Sequence, residues 1–166
     1  IYIESINLID IQDTGIDIDA FLHSPILYGR DLLSWNESTY TDIPLIMWHE
    51  IFYDDGNKVI RYSLIFSNED SRIGIGLSDL MFSYGRTTDI EWLYEVTLDS
   101  FGEIINEKYQ GPNHIDTEFN GDKYYKHPIL KNATLNCNFT DDGISSYKFF
   151  LSPKLTLNPG SLRESL

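Results

Sequence analysis

The chain has 166 residues, of which 42% are hydrophobic and 14% aromatic. This is enough apolar material for one globular domain and too much for a disordered segment. Its net charge of −14 at pH 7 argues against nucleic acid as a partner, because binding to phosphates relies on basic side chains. No apolar run approaches the ~20 residues that a transmembrane helix needs. We therefore expect a single domain over residues 1–166 without a transmembrane segment.

The first twenty residues predict a strand followed by an acidic turn. Residues 1–8 alternate in part between apolar and polar side chains, as a half-buried strand does. Residues 9–19 then carry aspartates on both sides of Gly15. Spaced oxygen ligands around a glycine suit a hard cation such as calcium, although the spacing is not that of an EF-hand. A solvated acidic turn without a metal is the alternative.

The middle of the chain predicts a β-hairpin. Two β-rich runs, Ile43–Tyr53 and Lys58–Ser67, flank the acidic-glycine loop Asp54–Asn57. Loops of this composition between such runs are typical of hairpin turns. The period-2 alternation in the second run predicts one face that contains Ile60, Tyr62, Leu64 and Phe66.

The segment 84–99 predicts another strand, and it carries the sharpest chemical pattern in the sequence. Its alternation places five apolar side chains on a core-facing side: Ile90, Trp92, Tyr94, Val96 and Leu98. The other face, interrupted by Leu93, carries Asp89, Glu91, Glu95 and Thr97. A turn at Asp99–Gly102 closes a second hairpin.

The rest of the chain predicts one long loop and short strands. Gly111–Lys126 is predicted as a polar loop, and loops of this length are often functional. Ile129–Leu135 and Tyr147–Leu151 are short strand candidates. No segment shows a sustained helical period. The expected fold is therefore all-β, an antiparallel sandwich of two sheets with long connecting loops.

Asp89 and Glu91 are the leading candidates for a functional site. Two carboxylates on one strand face can ligate a divalent cation or act as an acid–base pair, and a solvated acidic face is the ordinary alternative. His114, in the predicted loop, could join them. Tyr124 and Tyr125 could stack on a sugar ring, although each could instead anchor its loop.

Other motifs narrow the function by their absence or their context. The sequence contains no nucleophile elbow, phosphate-binding loop, dinucleotide fingerprint or zinc-type cluster. Cys137 is the only cysteine, so an internal disulfide is impossible. His49 shares its predicted strand face with apolar residues and is expected to be buried. N-glycosylation patterns at Asn36, Asn132 and Asn138 mildly favour a secreted glycoprotein.

The segment Gly85–Glu91 reads GRTTDIE and resembles the heptapeptide Gly-His-Arg-His-Asp-Trp-Glu of the necrosis- and ethylene-inducing-like proteins. The wider layout of residues 43–135 is also similar to the fungal vacuolar-protein-sorting-associated domain. The resemblance implies a β-sandwich that binds a divalent cation and plant sphingolipid sugar headgroups, and that permeabilises membranes. It carries over Asp89 and Glu91 as ligands of calcium or magnesium, and Asp79 lies near a further family aspartate. Arg86 falls where the family has a ligand histidine, and a guanidinium would compete for the carboxylates.

The leading hypothesis is a non-catalytic, extracellular module that binds carbohydrate or a glycolipid headgroup, with calcium or magnesium as the candidate cation. The ligand-binding residues are predicted to be Arg86, Asp89, Glu91, His114, Tyr124 and Tyr125. One alternative is a secreted hydrolase that uses a carboxylate–histidine acid–base pair. The other is a structural or interaction domain without a small-ligand site.

Overall fold

The computed structural model describes residues 17–31, 42–68, 81–82 and 85–149, and the backbone of 155–156. The predicted first strand, most of the acidic stretch, Asn36 and Asp79 lie outside the described residues. Within the described residues, no helix is long and apolar enough to cross a membrane.

One short helix and eleven strands make up the regular structure of the described residues. They are α1 (Ile18–Leu22), β1 (Ile26–Tyr28), β2 (Pro44–Asp54), β3 (Asn57–Phe66), β4 (Asp89–Leu98), β5 (Ile104–Gly111), β6 (Ile115–Glu118), β7 (Lys123–Tyr124), β8 (His127–Asn132), β9 (Phe139–Thr140), β10 (Lys148–Phe149) and β11 (Leu155–Thr156). Helix α1 begins at Asp17 because its carboxylate accepts the backbone N–H groups of Asp19 and Ala20, at 3.0 and 3.2 Å.

The described strands form two sheets that pack face to face. The larger has the order β11-β2-β3-β4-β5-β6, and the smaller has the order β10-β1-β8-β7, with β9 also paired to β8. Neighbouring strands are antiparallel except for the pairs β1–β8 and β11–β2. Both sheets contribute to one buried core, where Phe66 of the larger sheet stacks on Phe139 of the smaller sheet, 6.2 Å between ring centroids. The prediction of an all-β, two-sheet sandwich is confirmed.

The first predicted hairpin is present in the expected register. β2 and β3 pair from Pro44–Phe66 to Asp54–Asn57, and the connecting residues Asp55 and Gly56 both have positive φ angles, 46° and 80°. Two consecutive positive φ values belong to the turn type whose twist matches that of antiparallel strands. The alternation predicted for β3 also holds, because its four predicted core residues all lie in the buried cluster.

The face assignment of β4 is wrong in its first half, because a β-bulge changes the alternation at Leu93. Tyr62 pairs with Tyr94 and Ser63 pairs with Trp92, so Leu93 is an extra residue opposite this pair. Leu93 and Tyr94 both enter the core as a result. Trp92, expected in the core, is only half-buried and lies between the cations of Arg61 and Lys108, each under 6 Å from its ring.

The same bulge turns the two carboxylates inward. Asp89 pairs with Phe66 and Glu91 pairs with Leu64, and both partners are core residues. Residues directly opposite one another in a sheet point to the same face. The side chains of Asp89 and Glu91 therefore point between the sheets rather than towards open solvent.

The outer face of the larger sheet carries a row of alternating charges. Register pairs connect Glu50, Arg61, Glu95, Lys108 and Glu118 across five neighbouring strands. Glu95 is 2.6 Å from the guanidinium of Arg61 and 3.2 Å from the ammonium of Lys108. Cross-strand pairs of opposite charge stabilise a sheet, which explains why Glu50 and Glu95 lie in strands without belonging to a site.

The segment 111–126 is not the continuous loop that the sequence predicts. It contains a 3₁₀ turn at Pro112–His114 and the short strands β6 and β7. The polar side chains of β6 weaken the sequence pattern that predicts a strand. Its backbone nevertheless pairs with β5 along all four residues.

Two of the three N-glycosylation patterns are incompatible with a glycan in this fold. Asn132 and Asn138 are 1% and 2% exposed, and the side-chain nitrogen of Asn132 donates to Asp42. A glycan on either amide would have to occupy the space that the core already fills. The structure therefore gives no support for glycosylation at these two positions.

Candidate functional site

The candidate site is a cluster of polar side chains between the sheets, at the end of the sandwich where β4 begins. The carboxylates come from β4, one amide comes from β5, a histidine follows β5, and two further amides precede β9. We call this group the carboxylate–histidine cluster, and its members are Asp89, Glu91, Gln110, His114, Asn136 and Asn138.

Asp89 is a carboxyl group of the cluster whose pKa is raised. Burial raises its pKa, which the N–H of Ile90, the Cys137 thiol and the charge of Arg86 oppose only in part. Burial and the neighbouring carboxylate also raise the pKa of Cys137 far above its ordinary value, so this thiol is not reactive. A carboxyl group held in this way resists ionisation more than a surface aspartate does.

Glu91 is joined to His114 through Gln110. The amide nitrogen of Gln110 donates to Glu91 Oε2 at 2.6 Å, and the same nitrogen contacts His114 Nδ1. Nδ1 of His114 is 3.6 Å from Glu91 Oε2. Glu91 is buried, whereas half of the His114 side chain is exposed, so the histidine forms the solvent-facing side of the cluster.

The backbone around His114 is held in an unusual conformation. Asn113 and His114 both have positive φ angles, 61° and 58°, which asparagine tolerates better than histidine. Gly111 allows the chain to enter this turn, because a Cβ there would lie 2.3 Å from Thr117 Oγ1. Strained backbone of this kind is common at functional sites, where the fold holds a side chain in a required position.

Asn138 fixes the turn from the opposite sheet. Its side-chain oxygen accepts the N–H of Asn113 at 3.2 Å, and its side-chain nitrogen lies 3.3 Å from His114 Nδ1. The amide of Asn136 lies 2.9 Å from His114 Nε2, on the other side of the ring. Both ring nitrogens of His114 are thus surrounded by amide groups, which orient the ring.

Two oxygen atoms of the cluster are buried without a hydrogen-bond partner among the described residues. They are Oδ2 of Asp89 and Oε1 of Gln110. Leaving a buried acceptor unpaired costs roughly 1–3 kcal/mol, so native proteins rarely do so without a reason. Groups that donate hydrogen bonds, such as hydroxyl or ammonium groups, are the natural partners of these oxygens.

The structure brings together some of the predicted site residues and separates others. Asp89, Glu91 and His114 converge, and Arg86 interacts electrostatically with Asp89 while it donates to the carbonyl of Thr88. Tyr124 and Tyr125 do not join them. Lys123, next to Tyr124, contacts Glu107, whose register partner is Val96 on β4. Val96 is seven residues beyond Asp89, which places the tyrosines roughly 20 Å away.

Three amides of the cluster were not predicted from the sequence. Gln110 lies at the buried end of β5, and Asn136 and Asn138 flank the buried Cys137. Polar residues beside a buried cysteine are the local signal that could have indicated a site there. The contacts of Asn136 and Asn138 with His114 depend on the packing of the two sheets, which local sequence patterns do not encode.

The donor set that faces a possible cation is mixed. Asp89 and Glu91 offer carboxylate oxygens, but an amide N–H already occupies Oε2 of Glu91. Within the described part of the chain, no three acidic, histidine or cysteine side chains are grouped as a metal site. Asp79 lies outside the described residues, so its predicted role as a ligand stays a prediction.

A second acidic surface lines a shallow depression where the connection before β7 meets that after β9. Asp141 accepts the hydroxyl of Tyr109 at 3.1 Å and the N–H of Asn120 at 2.7 Å. Gly121 packs so closely that a Cβ there would lie 2.4 Å from the carbonyl oxygen of Asp141. These contacts hold two turns together, and we assign no ligand to this surface.

With this geometry described, the chain can be compared with known proteins. No protein-family model matches the sequence, and no curated protein matches it significantly. Among solved structures, it is similar to NLPPya in complex with mannosamine, with a TM-score of 0.52 and 11% identity over 85% of this chain and 71% of that chain. It is also similar to NLPPya in complex with glucosamine, with a TM-score of 0.51 and 12% identity over 85% and 72% of the two chains.

Its fold resembles that of the necrosis- and ethylene-inducing-like proteins. A third structure, necrosis and ethylene inducing protein 2 from the causal agent of cocoa's Witches Broom disease, matches with a TM-score of 0.49 and 11% identity over 87% and 74% of the two chains. The two NLPPya structures confirm, at the level of the fold, the distant resemblance predicted from Gly85–Glu91. At such low identity it says nothing by itself about the ligand.

Proposed function

We propose that this chain is a non-catalytic module that binds the sugar portion of a glycan or glycolipid through the carboxylate–histidine cluster. The observation that carries the proposal is the convergence of Asp89, Glu91 and His114 with buried acceptor oxygens that lack partners among the described residues. These side chains come from separate parts of the sequence, and a strained turn holds the histidine in place. An ordinary solvated acidic face would require neither feature.

The chemistry of the cluster suits a polyhydroxylated ligand. Sugar hydroxyl groups donate hydrogen bonds to carboxylate oxygens and accept them from amides, and the cluster contains both kinds of group. NLPPya, which shares this fold, was crystallised with mannosamine and with glucosamine. An amino sugar adds an ammonium group, which would form a charge-assisted hydrogen bond with a carboxylate. We therefore propose amino sugars as the first ligands to test, and an extracellular location for the module.

Isothermal titration calorimetry with mannosamine, glucosamine, mannose and glucose tests this proposal. We expect Asp89→Asn and Glu91→Gln each to weaken sugar binding at least about tenfold, because a hydrogen bond to a charged group contributes roughly 1.5–3 kcal/mol. Glu103→Gln is the matched control, since it removes one exposed carboxylate in the turn after β4 and should leave binding unchanged.

Two outcomes would contradict the proposal. The first is that no sugar binds to the parent chain at millimolar concentration. The second is that both cluster variants bind sugars as the parent and the Glu103→Gln control do. Circular dichroism of each variant must show the parent fold, so that a loss of binding is not a loss of structure.

A hydrolase is the second candidate, and one observation favours it. A carboxyl group with a raised pKa, close to a second carboxylate and a histidine, is also typical of acid–base catalysis. The hydrolase predicts release of reducing sugar from oligosaccharides, and loss of that release in Asp89→Asn. Sugar binding without turnover would decide in favour of the binding module.

A further inference from the structure

The resemblance implies a divalent cation at Asp89 and Glu91, and the structure offers a direct test of whether this chain's residues fit one. Calcium and magnesium are bound by oxygen lone pairs at about 2.0–2.6 Å. An N–H group cannot occupy the position of the ion. A cation site therefore needs carboxylate oxygens that face the ion without an N–H group between them. Two residues of this chain decide the matter, Gln110 and Arg86.

Gln110 places an N–H donor on Oε2 of Glu91, one of the carboxylate oxygens that a cation would need. Its amide nitrogen is 2.6 Å from Oε2 of Glu91 and also contacts Nδ1 of His114. Rotating the amide by half a turn would bring its oxygen against the Glu91 carboxylate, and two acceptors would then repel each other. The contact with Glu91 therefore fixes the amide with its N–H group on the carboxylate.

Arg86 places a permanent positive charge near Asp89. It lies in the turn that leads into β4, donates to the carbonyl of Thr88, and interacts electrostatically with Asp89. A guanidinium stays protonated throughout the physiological pH range. It therefore balances part of the negative charge of Asp89, and it repels any further cation.

We propose that Arg86 and Gln110 replace the divalent cation, so that the carboxylate–histidine cluster is a metal-independent site. The side-chain N–H groups of this chain then do what a cation does elsewhere, since they neutralise and orient the two carboxylates. One consequence rests on the proposed sugar binding: the sugar would be held by hydrogen bonds alone, without a metal ion. The exclusion of the cation itself stands on the contact between Gln110 and Glu91 and on the positive charge of Arg86.

The test is a metal titration of the full chain without any sugar, after dialysis against EDTA. Calcium, magnesium and manganese are each titrated by calorimetry and by thermal unfolding. Thermal unfolding is informative because an ion that binds the folded state raises the melting temperature. We expect no saturable binding by the parent, and the same small, nonspecific shift in melting temperature for the parent and for Asp89→Asn. Stoichiometric binding that is lost in Asp89→Asn would overturn the proposal.

Two variants at position 86 test the role assigned to the arginine. Arg86→His replaces the guanidinium with a metal-binding side chain, and we expect it to bind manganese at least about tenfold more tightly than the parent. Arg86→Lys keeps the positive charge and should stay as unresponsive as the parent. If Arg86→His is also unresponsive, Arg86 is not what excludes the cation and that part of the proposal is wrong.

The sugar titration is then repeated with EDTA and with calcium. A metal-independent site predicts dissociation constants within about twofold of each other under the two conditions, and a loss of affinity in EDTA contradicts it. If no sugar binds under either condition while the metal titration is also flat, the proposed function fails and the exclusion of the cation stands.

Discussion

Two buried carboxylates, Asp42 and Asp89, lie in very different surroundings. Asp42 is completely buried, and both of its oxygens face Arg30 at 3.3 Å, while Asn132 donates to one of them at 2.8 Å. Asp89 is partly exposed, its Oδ2 has no partner within the described residues, and burial raises its pKa. The first carboxylate is fully satisfied by the fold, and the second is not.

Under the proposed function, this difference separates a structural acid from one that binds a ligand. A satisfied network costs the folded state little and fixes the packing of the segments that it joins, here the end of β1, the start of β2 and the end of β8. An unsatisfied buried group lowers stability, so its persistence indicates that another property of the site depends on it. The comparison predicts opposite effects when each carboxylate is neutralised.

The largest effect is expected at Asp42. The substitution Asp42→Asn removes the charge that faces the buried Arg30 guanidinium, and breaking a buried pair in this way costs about 3–5 kcal/mol. Urea denaturation would measure the loss in the free energy of unfolding. Asp31→Asn is the control, since its side chain is 58% exposed and its pair with Lys131 should contribute less than about 1 kcal/mol. A loss at Asp42 as small as that at Asp31 would remove the structural side of the comparison.

An effect of opposite sign is expected at Asp89. Because the pKa of Asp89 is raised in the folded state, the folded chain binds more protons than the unfolded chain between the ordinary value, about 3.9, and the folded value. The free energy of unfolding therefore falls as the pH rises through this window and stays lowered above it. Asp89→Asn removes that loss, so we expect the variant at pH 7 to be as stable as the parent or more stable, by about 1 kcal/mol.

Melting temperatures of the parent and Asp89→Asn between pH 3 and pH 8 would measure this difference. The two curves should approach each other at low pH and separate as the pH rises. A variant that gains stability while it loses sugar binding would show that the site sacrifices stability for a ligand. A variant that is destabilised at pH 7 to the same extent as Asp42→Asn would show that Asp89 is a structural acid too.

The comparison also shows which parts of the molecule the sequence could predict. The hairpin β2–β3 and the core face of β3 follow from alternation and turn composition, and both are confirmed because these signals are local. The bulge in β4 was missed, although its signal was visible, since Leu93 is an apolar residue on an otherwise polar face. Reading that interruption as a change of alternation would have placed Trp92 outside and Glu91 inside.

The candidate site was predictable in its charged residues and not in its amides. Asp89 and Glu91 stand out because carboxylates are rare in apolar strands, and His114 because of its polar context. Asn138 reaches the cluster only through the packing of one sheet on the other, whereas Gln110 reaches Glu91 from the neighbouring strand β5. Tyr124 and Tyr125 share the polar context of His114. Strand β6 lies between His114 and the two tyrosines in the chain, and it places the tyrosines in a different part of the fold.

The smallest expected effect concerns His23, another buried group without hydrogen-bond partners among the described residues. A variant at this position tests whether such groups always indicate function. Its side chain is 1% exposed, and neither ring nitrogen has a partner within the described residues. Burial lowers its pKa, as do the nearby charges of Lys126 and Lys123, whereas Asp19 and Glu107 act in the opposite direction.

The sign of the pH effect follows from this lowered pKa. As the pH falls below the ordinary value, about 6.5, the unfolded chain gains a proton at His23 before the folded chain does, so the free energy of unfolding decreases. We expect the free energy of unfolding of His23→Leu to fall less than that of the parent between pH 7.5 and pH 5.5. The two decreases should differ by less than about 1 kcal/mol, and urea denaturation at both pH values measures them. Its sugar affinity should equal that of the parent, because His23 lies beside Lys123 and Lys126 and not in the carboxylate–histidine cluster. If His23→Leu instead abolishes sugar binding, the ligand must contact the region of Tyr124 and Tyr125, and unpaired burial would then indicate function at both ends of the sandwich.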